Sequence, residues 1–340
     1  MTVRVYQFDD VSAPQLTGEA GKLIDILRAC LVTGYGSQVA AGWTEEFIGT
    51  GTNNAVFRNG TGSSQTYFQL LDDGTMAAGA REAQMWMYNT MSNVTTGTNK
   101  SPSANTNNFF RKSATLDTTI RFWRVIASEK AVHVLLASGE IDNYWQWHSF
   151  GDYALFNPTY GSPAFLIARP GNSALTLNSA LWNLAYQQIP GAVPSCKYNN
   201  HILLNDGIGY DKRFSVNPGF TLGAHYGGQT YDVGRYLGLV EWFGYNAPQD
   251  AYIGNILGEL RNKAAILEKI HVFTYGGSAS NATFLGVLPG IYESVTRLTD
   301  GGNTINLTGP YAGRSFYRVK FAGGIDSLGF FIETTPTATW

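Results

Sequence analysis

The chain has 340 residues, and its 23 basic and 25 acidic side chains leave a formal charge of −2. Charged residues supply 14% of it, against about 25% in ordinary soluble domains, while aromatics also reach 14%. Such an apolar and aromatic load excludes intrinsic disorder, and the lack of a basic excess argues against nucleic acid as the main partner.

In chain order, residues 1–8 alternate apolar and polar side chains, which predicts a strand. No charged n-region followed by an apolar run precedes it, so no secretory leader is expected. From Thr17 to Val32 the residues Ala20, Leu23, Ile24, Leu27 and Leu31 recur at three and four, one face of an amphipathic helix. Thr17 or Gly18 is placed to cap it, and Gly34 to end it in a left-handed conformation. Its stripe reads as core, with a partner-binding face as the alternative. Cys30 lies in this stripe and reads as a small buried hydrophobe; a disulfide with Cys196 is the other option.

Short strands follow. Ala55–Arg58 and Thr66–Leu71 flank a Gly-rich stretch, Asp72-Asp73-Gly74 is a turn, and Arg81–Met91 is strand-like. The polar run Asn93–Asn108 reads as a surface loop. Phe109–Lys112, Ile120–Ala127, Ala131–Ala137 and Tyr144–Phe150 are strands, as is Ala164–Ala168 within a Gly-, Pro- and Asn-rich interval. Ala251–Ile270 suggests a short helix despite Gly254 and Gly258, each costing about 1 kcal/mol there. His271–Tyr275, Ser315–Phe321 and Phe330–Thr334 close the chain as strands. No repeat of 20–50 residues is visible, and no run of eighteen apolar residues spans a bilayer. The expected fold is α+β and β-rich, with short-stranded, sandwich-like antiparallel sheets and one prominent N-terminal helix. Two domains are expected, residues 1–155 with helix 17–32 and residues 156–340.

Searches for chemistry return no constellation. There is no Gly-x-Ser-x-Gly elbow and no phosphate loop; Gly207-Ile208-Gly209 lacks the third glycine. His133, His148, His201, His225 and His271 are scattered with no i, i+4 pair, and each reads first as structural. No catalytic residue, metal ligand or cofactor is therefore expected. The sequons at Asn59, Asn93, Asn281 and Asn306 read as accidents of composition. Two aromatic segments remain as candidate contact surfaces. In Tyr144 to Phe150, alternation places Trp145 and Trp147 on one face, either packing a core or seam or forming a platform for sugar rings. The second runs from Phe330 and Phe331 to Trp340, whose indole needs something to receive it.

Several stretches together resemble a family of bacteriophage and prophage virion proteins. They include Ala13-Pro14, Cys30-Leu31-Val32-Thr33-Gly34-Tyr35-Gly36-Ser37 and Ala41-Gly42-Trp43-Thr44. Further on stand Tyr88-Asn89-Thr90-Met91-Ser92, Arg111-Lys112-Ser113, Phe150-Gly151-Asp152, Leu288-Pro289-Gly290-Ile291-Tyr292 and Phe331-Ile332-Glu333-Thr334. The likeness covers roughly the first 155 residues and the last 60. These motifs are mostly glycine, tryptophan and apolar positions, which set turns and packing, and the family supplies no catalytic residues to carry over. The resemblance implies a structural part of the virion, made and assembled in the host cytoplasm. Its expected partners are other virion proteins and further copies of itself, a trimer being favoured, with no nucleic acid or membrane contacted. A glycan-binding adhesin or depolymerase domain using residues 144–150 is the alternative.

Overall fold

The computed structural model of the chain describes residues 2–73, 81–102, 108–113, 115–137, 146–156, 163–168, 200–203, 211–213, 215–217, 224–226, 229–231, 267–275, 282–294, 304–306, 312–320 and 329–340. Strand β1 (Arg4–Gln7) forms where the alternation predicts it. The helix is shorter than its periodicity: α1 spans Lys22–Arg28, and a π turn at Ala29–Thr33 continues it. The stripe itself is core, with Leu23, Ile24, Leu27, Cys30 and Leu31 fully buried, and Cys30 is a free thiol.

The late start has a local cause. Thr17 turns its hydroxyl to Glu19 instead of capping, and α1 begins only after Gly21, whose φ of 81° breaks any earlier turn. The amide of Leu23 then donates to Asp72 Oδ2 at 2.8 Å, a cap from far along the chain. Gly34, at φ 75°, ends the π turn as expected.

The remaining strands largely follow the predicted runs. Thr44–Ile48 (β2), Asn54–Arg58 (β3), Tyr67–Leu71 (β4) and Arg81–Tyr88 (β5) come first. Thr90–Asn93 (β6), which begins in the run expected as strand, then pairs as a hairpin with Thr96–Thr98 (β7), which lies inside the stretch expected to be a loop. Next are Phe109–Ser113 (β8), Trp123–Ala127 (β9), Ala131–Leu136 (β10), Gln146–Asp152 (β11), Ala154–Leu155 (β12) and Ala164–Ile167 (β13). Asn200–Leu203 (β14), Asp211–Arg213 (β15), Ser215–Asn217 (β16), Ala224–Tyr226 (β17) and Gln229–Tyr231 (β18) are short. Leu267–Tyr275 (β19), Ala282–Ser294 (β20), Thr304–Asn306 (β21), Ser315–Lys320 (β22) and Gly329–Glu333 (β23) complete the set. Of the helix expected at 251–270, residues 251–266 lie outside the described residues. Leu267–Ile270 are strand instead, because Leu267, Glu268 and Lys269 pair with β20.

Three layers result. The central sheet has seven strands in the order β1-β9-β10-β11-β13-β14-β15. One of its faces, with Trp123, Val125, Val132, Val134 and Phe150, packs against α1 and the sheet β2-β3-β4-β5-β8. The other face, with Ile126, Leu135, Trp147, Phe165 and Ile167, packs against Leu288, Ile291, Tyr317 and Ile332 of the third sheet. That third sheet runs β16-β19-β20-β23-β22-β21, with β12 pairing β20. Burial on both faces explains why β13 reads as an unbroken apolar run, and β10 as one broken only by His133, instead of alternating. β11 pairs with β13, and β12 with β20, so strands from either side of the expected 155/156 division share sheets. The fold is β-rich with antiparallel sheets, as expected; its single α-helix among the described residues is a short one.

Candidate functional site

The two aromatic segments singled out in the sequence meet at one place, a seat on the second face of the central sheet. Its floor is an interruption in β20. Val287 pairs with His271 and Tyr292 with Lys269, so Leu288 to Ile291 stand opposite Ile270 alone. The surplus residues form a bulge, the setting in which a strand tolerates proline. Here Pro289 turns its carbonyl toward β10, and Gly290 takes φ +64°.

His133 receives that carbonyl. It is fully buried in the middle of β10, with Nε2 2.9 Å from the Pro289 oxygen. A carbonyl can only accept, so Nε2 carries the proton and Nδ1 is left as an acceptor. The Ser149 hydroxyl lies 2.8 Å from Nδ1 and 2.9 Å from the Val132 carbonyl, and its one proton serves either. Burial pushes the imidazole pKa down to about 3, so the ring is neutral at neutral pH. A hydroxyl beside an imidazole has the composition of a nucleophilic pair. Ser149 and His133 are both 0% exposed, however, and the second ring nitrogen is committed to the bulge. In this arrangement the pair fastens β20 to the central sheet.

Residues 334–340 cross above this floor. Thr334 N–H donates to the Ser315 carbonyl at 2.8 Å, and Val3 N–H to the Pro336 carbonyl at 3.0 Å. A turn follows in which Ala338 N–H donates to the Thr335 carbonyl at 3.0 Å. It directs Trp340 onto Gly290 and His133, whose ring centroid is 4.9 Å from the indole. A Cβ on Gly290 would lie 2.4 Å from both Nε1 and Cε2 of Trp340, so only glycine fits beneath the ring. The Trp340 Nε1 is buried, and among the described residues no acceptor meets it.

The sequence-predicted contact residues are placed as follows. Tyr144 and Trp145 lie outside the described residues. Trp147 is only 2% exposed and belongs to the second core, 6.2 Å from His133 between ring centroids. Its face is therefore closed to a sugar ring, and its packing role is the one the geometry supports. Phe330 lies in β23, opposite Glu293 and Val319. Phe331, next along, is buried and turned to the face opposite Ile332. Trp340 packs against the second core, so what receives the indole is the chain itself. Of the seat's residues, Ser149 and the roles of Pro289 and Gly290 escaped the sequence search. His133 was visible only as one of five scattered histidines, each read first as structural.

Several polar groups elsewhere are tied into the fold. Lys112 and Asp72, both 0% exposed, form an ion pair beneath the start of α1, and Lys112 also donates to the Glu19 carbonyl. Arg28 grips Glu45 with two hydrogen bonds of 2.8 Å. Asp152 accepts from the Asn59 amide, at 2.8 Å, and from both the amide and hydroxyl of Ser64, which pins the loop after β3 to β11. Burial raises the Asp152 pKa against the pull of these donors. Among the described residues, no three His, Cys, Asp or Glu side chains are grouped to hold a metal ion, and no helix is long and apolar enough to cross a membrane.

Apolar side chains surface mainly where β1 ends and β9 begins. Gln7 pairs with Arg124, so the connections after β1 and before β9 leave the central sheet at one end. They carry Val11 at 81% exposure, Leu116, Ile120 and Phe122, the last stacked on Phe8. Comparison with protein-family models and with curated proteins gives no match to this chain.

Proposed function

We propose that this chain is a non-enzymatic structural component of a bacteriophage particle. It belongs to the head, neck or tail, acts through protein–protein contacts, and assembles with copies of itself as a trimer. The observation that carries this reading is the set of Gly-, Trp- and apolar-rich stretches that resemble phage virion proteins. Two structural features support it. The seat's polar residues, His133 and Ser149, are consumed in fastening layers together and present no reactive group to solvent. The apolar side chains exposed at one end of the central sheet have the character of contact surface. A surface with so few charges also has little electrostatic protection against association.

Mass spectrometry of purified particles of the phage that encodes the chain tests this directly. The chain is expected at a fixed number of copies per particle, and its absence from intact particles ends the proposal. Analytical ultracentrifugation at micromolar concentration tests the trimer separately.

A further inference from the structure

We propose that residues 334–340 form an exchangeable arm, and that the seat occupied here by the chain's own Trp340 takes Trp340 of a neighbouring copy in the assembled oligomer. The inference rests on the self-association put forward under Proposed function and names the segment and the seat that carry it.

Three features of the arm argue for exchange. The first is its attachment. Among the described residues, beyond the bond at Thr334, the backbone of the arm is held by the bonds from Val3 to Pro336 and within the Thr335–Ala338 turn, and the Thr335 hydroxyl accepts from Ser315 N–H at 2.9 Å. Nearly all its buried apolar surface sits in Ala338 and Trp340, past the turn. The second is the hinge. Pro336 and Thr337 are exposed at the centre of that turn, and proline suits both a tight turn and an extended segment. Opening one turn therefore redirects the whole anchor without disturbing β23. Extended, the six residues after Thr334 reach about 20 Å, which places a neighbour's seat within range of a closely packed copy.

The third feature is the anchor's fit. Gly290 and the bulge make a seat specific for a flat ring, yet the Trp340 Nε1 is buried there with no acceptor among the described residues. A buried donor left unmade weakens the intramolecular seat, so the arm is shaped to its place but loosely held in it. In a neighbour the seat is identical, and exchange re-forms every contact that release breaks. Such swaps are a low-cost route to closed oligomers.

The test uses the full chain with Thr339, which is exposed, replaced by the photoreactive p-benzoyl-phenylalanine. Isotopically heavy and light preparations are mixed, allowed to assemble and irradiated, and the cross-links are mapped by mass spectrometry. Exchange predicts heavy–light cross-links joining the arm of one copy to the β20 bulge of another. It also predicts that Trp340→Ala raises the dissociation constant of the oligomer at least tenfold while Trp340→Phe restores most of it. An oligomer whose arm cross-links only within its own chain overturns the exchange and leaves self-association standing. A monomer at every concentration overturns both.

Discussion

The protonation of His133 gives the sharpest quantitative handle on the second core. Its pKa is about 3 in the folded chain, against 6.5 for an unperturbed imidazole. The unfolded chain therefore binds one more proton than the folded chain between these values, and stability must fall as pH drops through that window. Above pH 6.5 the contribution is complete and flat. The loss between pH 7 and pH 4.5 works out at about 2.5 kcal/mol, since each unit of difference is worth about 1.4 kcal/mol. Buried Asp72 and Asp152 have raised pKa values, and for a carboxyl a raised folded value works the other way, favouring the fold as pH falls. The total slope is therefore mixed, and the comparison needed is between proteins. In His133→Gln the side-chain amide still donates to the Pro289 carbonyl but does not titrate. Urea unfolding of both proteins at pH 7 and pH 4.5 should show the wild type losing about 2.5 kcal/mol more than the variant. Equal losses would mean that His133 is not held neutral, and the account of the seat would fail.

Three further outcomes follow from the first core. Leu27→Ala removes a fully buried side chain from α1 and should cost about 2–5 kcal/mol in denaturant unfolding; a near-zero effect would put the stripe outside the core. Lys112→Met strands the Asp72 carboxylate and should cost about 3–5 kcal/mol, whereas adding Asp72→Asn should recover part of that loss. A double variant less stable than the single one would contradict the pairing. Gly34→Ala should lower stability by about 2 kcal/mol or more, since φ is +75° and its Cβ would lie 2.5 Å from the Gln38 carbonyl oxygen. Thermal unfolding unchanged by this substitution would show that the π turn ends differently.

What the sequence revealed and what it hid divide on physical lines. β3, β4, β9, β10, β22 and β23 were legible because a strand between two covered faces needs a short apolar or aromatic run. β20 was not read as a strand, since Gly286, Pro289 and Gly290 look like breakers; they are accommodated because the bulge frees Pro289 and Gly290 from the ladder with β19. The β6–β7 hairpin was hidden because, apart from Met91, its strand residues are exposed and carry no hydrophobic pattern. The true start of α1 was invisible because its cap, Asp72, comes from 49 positions away. The seat was half legible. Both aromatic segments were noticed, but the demand for glycine at 290 is set by an indole that only the folded chain brings there.

The position of β1 at the edge of the central sheet also bears on how the chain is made. β1 has no hydrogen-bonded partner strand until β9, and Arg124 meets Gln7 across 117 positions. At about 5–20 residues per second, a ribosome needs on the order of ten seconds to deliver that partner. Val3 waits longer still, for the Pro336 carbonyl. Until β9 emerges the growing chain thus carries β1 unpaired, and until residues 329–340 emerge it carries an unfinished second core, conditions that slow folding and invite aggregation. Fragments ending before β23 lack Ile332, Ala338 and Trp340 from the second core and should collect as insoluble material when expressed.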